Sequence, residues 1–167
     1  MDKNDFIRSP AHYTVYPVQP IEITRHLGFC LGNAVKYVLR APYKGGVEDC
    51  LKARQYLAWD EQTPMLPSVM AAYCLRDIRD LREFLEKTPG DQLWKDIAEW
   101  QAKFLLSLGE YLQVYPGDEY FFRLACSKRA MICCVGELRR VLELRDTTGQ
   151  IYEGMTGLPE VPDTEGE

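Results

Sequence analysis

The sequence predicts an all-α protein, a compact helical domain with a C-terminal helical extension. Three observations carry that reading. Apolar residues recur at spacings of three and four through most of the chain, the mark of one-sided helices. No useful stretch alternates apolar and polar residues as a strand does, and there is no internal repeat. Proline and glycine clusters cut the chain into pieces of helix length.

Taken in order, residues 9–20 (SPAHYTVYPVQP) hold three prolines, each biasing its predecessor away from helix, so an extended lead-in is expected. Pro20 suits the first turn of a short helix, IEITRHLG, stopped near Gly28. A second helix covers about residues 31–41 and ends before Pro42. YKGG, residues 43–46, reads as a tight loop. A third helix runs from Val47 to about Glu61, with Val47, Cys50, Leu51, Leu57 and Ala58 as its apolar stripe, interrupted by Arg54.

QTPMLPS, with Pro64 and Pro67, is the best boundary, separating a helical unit at 1–63 from a long-helix region at 68–146. Ser68 can cap a helix to about Lys87 that carries Cys74, Ile78, Leu81 and Leu85 on one face. TPGD then turns the chain, and Asp91 caps a helix over about 92–114. Trp94, Trp100, Phe104 and Tyr111 on that helix are expected in the core rather than on a partner surface. Pro116 and Gly117 break it, and Asp118 caps a last helix over about 119–145. Residues 147–167 read as an acidic flexible tail, with five acidic and no basic residues from Ile151 onward.

Bulk properties exclude several classes. At 167 residues, 46% hydrophobic and 27% charged, the chain has the profile of a folded protein. A net charge of −5 and a pI of about 5.2 argue against general duplex binding, which depends on neutralising phosphates. Neither a secretory leader nor a membrane-spanning run is present, so a soluble protein of the cytoplasm is expected. The six cysteines show no CxxC pair and no histidine at metal-ligand spacing, and are read as buried free thiols. GxxxxGK[ST], GxGxxG, HExxH and GxSxG motifs are absent.

The chemistry concentrates in FCLGNAVKYVLRAPYKGGVEDCLKARQYL, residues 29–57. Asn33, Lys36 and Arg40 fall at i, i+3 and i+7 of one helix, so an amide and two cations share a side. Lys36 and Arg40 repel unless an anion or an acid from elsewhere answers them. The next helix brings Glu48 and Asp49, with Lys52 and Tyr56 at i+3 and i+7 from Asp49. Between them, Lys44-Gly45-Gly46 can turn sharply and present N–H groups beside a helix start, a plausible phosphate cradle. The plain alternative is a solvated face on which Lys36, Arg40, Lys44 and Lys52 pair with Glu48 and Asp49. His12 and His26 likewise stand either as a base or phosphate donor or as structural residues.

Taken together, His12, Tyr13, Ile21, Glu22 and the pattern GNxxKYxxRAxxK…EDxxKAxxYL from Gly32 to Leu57 resemble the phage nucleotide kinase-like family, which includes a deoxynucleoside monophosphate kinase without a P-loop. The resemblance spans about residues 9–60; the following hundred or so fall outside it. It implies a phage-type nucleotide-binding protein that forms homo-oligomers. Lys36, Arg40 and Asp49 would be catalytic, and His12, Tyr13, Asn33, Lys44, Lys52 and Tyr56 would bind the ligand. A nucleoside triphosphate with Mg²⁺ held by Asp49 or Glu48 would supply the phosphoryl group. The alternatives are sequestration of a nucleotide or cyclic nucleotide defence signal without turnover, and a helical oligomerisation or interaction module.

Overall fold

Six helices make up the regular structure of the described residues: α1 Pro20–Thr24, α2 Phe29–Arg40, α3 Gly46–Trp59, α4 Ser68–Glu86, α5 Gln92–Leu112 and α6 Tyr120–Thr148. The structure, a computed structural model, describes residues 14–61, 68–114, 117 and 119–148. Among these residues there is no strand, so the all-α expectation holds. No described helix is long and apolar enough to cross a membrane. His12, Tyr13, the 62–67 boundary, Asp118 and the acidic tail lie outside the described residues. Residues 15–18 are turn and bend, and only Gln19 is extended, rather than one extended lead-in.

α4, α5 and α6 follow one another as antiparallel neighbours, as short connections require. The turn before α5 shows how local chemistry sets this up. Gly90 has φ +142°, a conformation that disfavours side chains, and a Cβ there would meet Trp94 at 2.7 Å. Asp91 then caps the helix by accepting from the Trp94 N–H at 2.9 Å. Ile97, Phe104, Leu105 and Leu108 of α5 are fully buried, as are Met131, Leu138 and Leu142 of α6. Trp94 and Tyr111 also lie in the core, whereas Trp100 is only partly covered.

The first three helices share this core. Ile23, Leu39 and Leu57 are buried together with Cys74, Ile78, Leu81 and Leu85 of α4. Of the hairpin, α3 packs on α6, and α1 packs on α2 and α4. Pro42 explains one docking contact. It has no N–H, so the Val38 carbonyl of α2 loses its ordinary i+4 donor. Buried Gln101 of α5 replaces it, its side-chain amide donating to Val38 O at 2.9 Å, and the Tyr16 hydroxyl donates to Leu39 O at 2.7 Å. Gln101 also donates to the Tyr16 hydroxyl at 3.2 Å. The far end of α6 returns to the same turn, where Arg145 donates to Pro42 O at 2.7 Å.

Two sequence expectations change. On α3 the buried stripe is Asp49, Cys50, Ala53 and Leu57, while Leu51 and Ala58 are exposed. The helix is packed on two sides, by α2 and by α6, so its buried arc is centred away from the simple apolar stripe. All six cysteines are free, but only Cys50, Cys74 and Cys134 are buried; Cys126 and Cys133 face solvent and Cys30 is half-buried. Cys133 and Cys134 part company because successive helical residues point about 100° apart.

Candidate functional site

The α2–α3 connection is built around an ion pair. Arg40 ends α2 and Asp49 opens α3, so each charge sits at the helix end whose dipole favours it. Arg40 Nε donates to Asp49 Oδ2 at 2.8 Å and Nη2 to Oδ1 at 2.7 Å, a two-pronged contact. Asp49 is fully buried, and the Arg40 side chain is 20% exposed. The two glycines of the loop serve different needs, Gly46 the turn and Gly45 the ion pair. Gly46 adopts φ +51°, its N–H donating to Ala41 O at 2.8 Å. A Cβ on Gly45 would lie 2.0–2.2 Å from the Asp49 carboxyl atoms. The space beside the glycine turn, read from sequence as a phosphate cradle, therefore holds the carboxylate of Asp49.

The remaining candidates gather one turn away around the ring of Tyr37. Lys36 Nζ lies 4.4 Å from the ring centroid, the Arg40 guanidinium 4.9 Å and Lys52 Nζ 5.7 Å, all within cation–π range. Asn33 orients Lys36: its amide donates to Phe29 O at 2.8 Å, and its oxygen accepts from Lys36 Nζ at 2.7 Å. Lys52 pairs with Glu48 at 2.5 Å across one turn of α3, a hydrogen bond that holds its pKa above the ordinary lysine value. Among the described residues two carboxylates answer these cations, Asp49 on Arg40 and Glu48 on Lys52. Among the described residues no carboxylate pairs with Lys36.

Of the aromatic half of this surface, sequence reasoning named Tyr56 but missed Phe29, Tyr37 and Trp59. Tyr56 stacks on Tyr37, with centroids 5.8 Å apart and planes 18° from parallel. Phe29 and Trp59 meet Tyr56 edge-on at 5.8 and 5.6 Å. Phe29 is 73% exposed and Trp59 60%, so two broad rings stand in solvent beside the cations. The available signal was the pairing of Tyr37 with Tyr56 on facing helices and of Tyr56 with Trp59 three residues later.

The other predicted residues are dispersed. Lys44 is exposed on the loop and shares none of these contacts among the described residues. His26 is half-buried and accepts a 3.5 Å contact from Arg25. Cys50 lies behind Asp49, and burial pushes its thiol up to about 12, which disarms it as a nucleophile.

Among the described residues, the two carboxylates named for Mg²⁺ are already engaged. Both Asp49 oxygens accept from Arg40, and Glu48 is engaged by Lys52. Among the described residues no group of three His, Cys, Asp or Glu side chains could hold a metal.

Residues 7–58 match the model of a protein family described as being of unknown function, DUF3310. That span contains every member of the ring-and-cation cluster except Trp59. No curated protein and no solved structure matches the chain.

Proposed function

We propose that the exposed face of α2 and α3 binds a nucleotide and holds it without transferring a phosphoryl group. The observation that supports this reading is the convergence of Lys36, Arg40 and Lys52 on the Tyr37 ring beside the exposed rings of Phe29 and Trp59. A nucleotide has the matching halves. Its base can stack on Phe29 or Trp59, a contact of about 1–3 kcal/mol, while its phosphate meets the ammonium of Lys36 and the nearby Lys52. Holding is favoured over turnover because, among the described residues, Arg40 and Asp49 are engaged with each other and Glu48 with Lys52. The sequence resemblance to nucleotide kinase-like proteins points to the same ligand class, and capture of a nucleotide defence signal would suit such a surface.

The test is titration of the protein with deoxynucleoside monophosphates, nucleoside triphosphates and cyclic nucleotides, following Trp59 fluorescence and heat release. Binding should quench the Trp59 signal, Lys36→Ala should weaken it about tenfold, and the nucleotide should be recovered unchanged. Failure of every nucleotide to bind, or wild-type affinity in Lys36→Ala, would overturn the site. Phosphoryl transfer between two added nucleotides would replace holding by catalysis.

Self-association is supported by a separate observation. Val69 and Tyr73 of α4 are 68% and 53% exposed, and Phe121 and Phe122 of α6 are 79% and 69% exposed. The antiparallel order of α4, α5 and α6 brings these to one end of the molecule. Such an apolar end fits a second copy, and sedimentation of Phe121→Ser beside the wild type tests it: loss of a dimer in the variant is the expected result.

A further inference from the structure

We propose that the groove between the last turns of α4 and the first half of α5 is a separate binding site for a small amphipathic anion: an apolar body carrying one carboxylate or phosphate. The groove has a volume of about 390 Å³, within the roughly 300–1,000 Å³ of small-molecule sites. Leu85, Ala102 and Leu106 supply its apolar lining, and Leu106 is left 44% exposed.

The charges around that lining do not cancel. Arg82, Lys87, Lys95 and Lys103 face two carboxylates, Glu86 and Glu99. Lys103 pairs with Glu99 at 2.5 Å, and Arg82 approaches Glu86 at 3.4 Å. Among the described residues Lys87 and Lys95 have no carboxylate partner, so four cations against two acids leave two positive charges over.

Arg82 adds a guanidinium to the same rim: its side chain is 30% exposed, with Nε 3.4 Å from a Glu86 oxygen. An oxyanion held at this rim would neutralise Lys95 or Lys87, while the attached apolar body would cover Leu106. Inorganic phosphate satisfies only the first half of this description, and a neutral alcohol only the second.

The full chain, labelled with ¹⁵N, is titrated by NMR with hexanoate, phenyl phosphate, hexanol and inorganic phosphate. Hexanoate or phenyl phosphate should shift the amides of residues 85–88 and 99–106, the tighter of the two identifying the head group. Hexanol and inorganic phosphate should bind at least about tenfold more weakly. Lys95→Glu, at an exposed position, should weaken the tighter anion about tenfold, as should Arg82→Gln if it folds. Lys36→Ala should leave this binding unchanged, so failure here and failure of the α2–α3 nucleotide site are read separately. Equal binding of hexanol, shifts scattered over the surface, no saturation by either amphiphile, or wild-type affinity in Lys95→Glu would overturn the proposal.

Discussion

The α5–α6 pair and the α2–α3 hairpin are both antiparallel helix pairs, yet they are held together by different physics. α5 and α6 are the most extensively buried pair, with Phe104, Leu105, Leu108, Met131, Leu138 and Leu142 all in the core. α2 and α3 close around a buried ion pair and a turn with two glycines, and leave Phe29 and Trp59 in solvent. Burial of apolar area is tolerant of detail, whereas a buried charge pair is stable only while both partners remain. The difference teaches that the N-terminal hairpin, although Val35, Val38, Leu39 and Leu57 bury its inner side, adds to that apolar closure a buried ion pair and an exposed charged, aromatic surface.

The comparison is most severely tested in the α5–α6 pair. Phe104→Ala should cost about 4 kcal/mol in urea unfolding, the usual loss for a buried aromatic truncated to alanine; a loss below about 1 kcal/mol would mean that α5 is not the central element. Next comes Asp49→Ala, which removes the two-pronged acceptor of the Arg40 guanidinium and should cost about 3 kcal/mol. The same variant should bind nucleotides more tightly, because the Asp49 charge no longer offsets that of Arg40. Reduced stability combined with reduced affinity would instead make Asp49 part of the ligand contact.

Asp60 joins the two regions and offers a pH test. At the end of α3 it is buried, its carboxylate accepts from the Tyr111 hydroxyl at 3.2 Å, and its backbone carbonyl accepts from Lys128. Burial raises its pKa above the ordinary carboxylate value. A group whose folded pKa is raised takes up a proton on folding, so its contribution to stability falls as pH rises through that value. The stability of wild type minus that of Asp60→Asn should therefore increase as pH drops from 7 toward about 4. An unchanged difference across this range would show that Asp60 is solvated. The smallest effect belongs to Glu48→Gln on the exposed side of α3. Melting should not move measurably, while removal of the competing carboxylate should raise nucleotide affinity about two- to threefold.

Sequence alone determined the helices and several of their ends. Periods of three and four, Pro20, Pro42, the TPGD turn and the Asp91 cap are local signals, and local sterics and hydrogen bonding act within a few residues. It also determined that Asn33, Lys36 and Arg40 share one side of α2, since helical geometry needs nothing more. Only the tertiary structure decided what answers those charges. Asp49, nine residues away, takes Arg40 and fills the space beside Gly45 that the loop composition alone presented as a cradle. It equally decided that Gln101 and Arg145, 63 and 103 residues from their acceptors, satisfy the carbonyls around Pro42. Buried polar groups must be paired, but which distant side chain does so is set by how the helices dock.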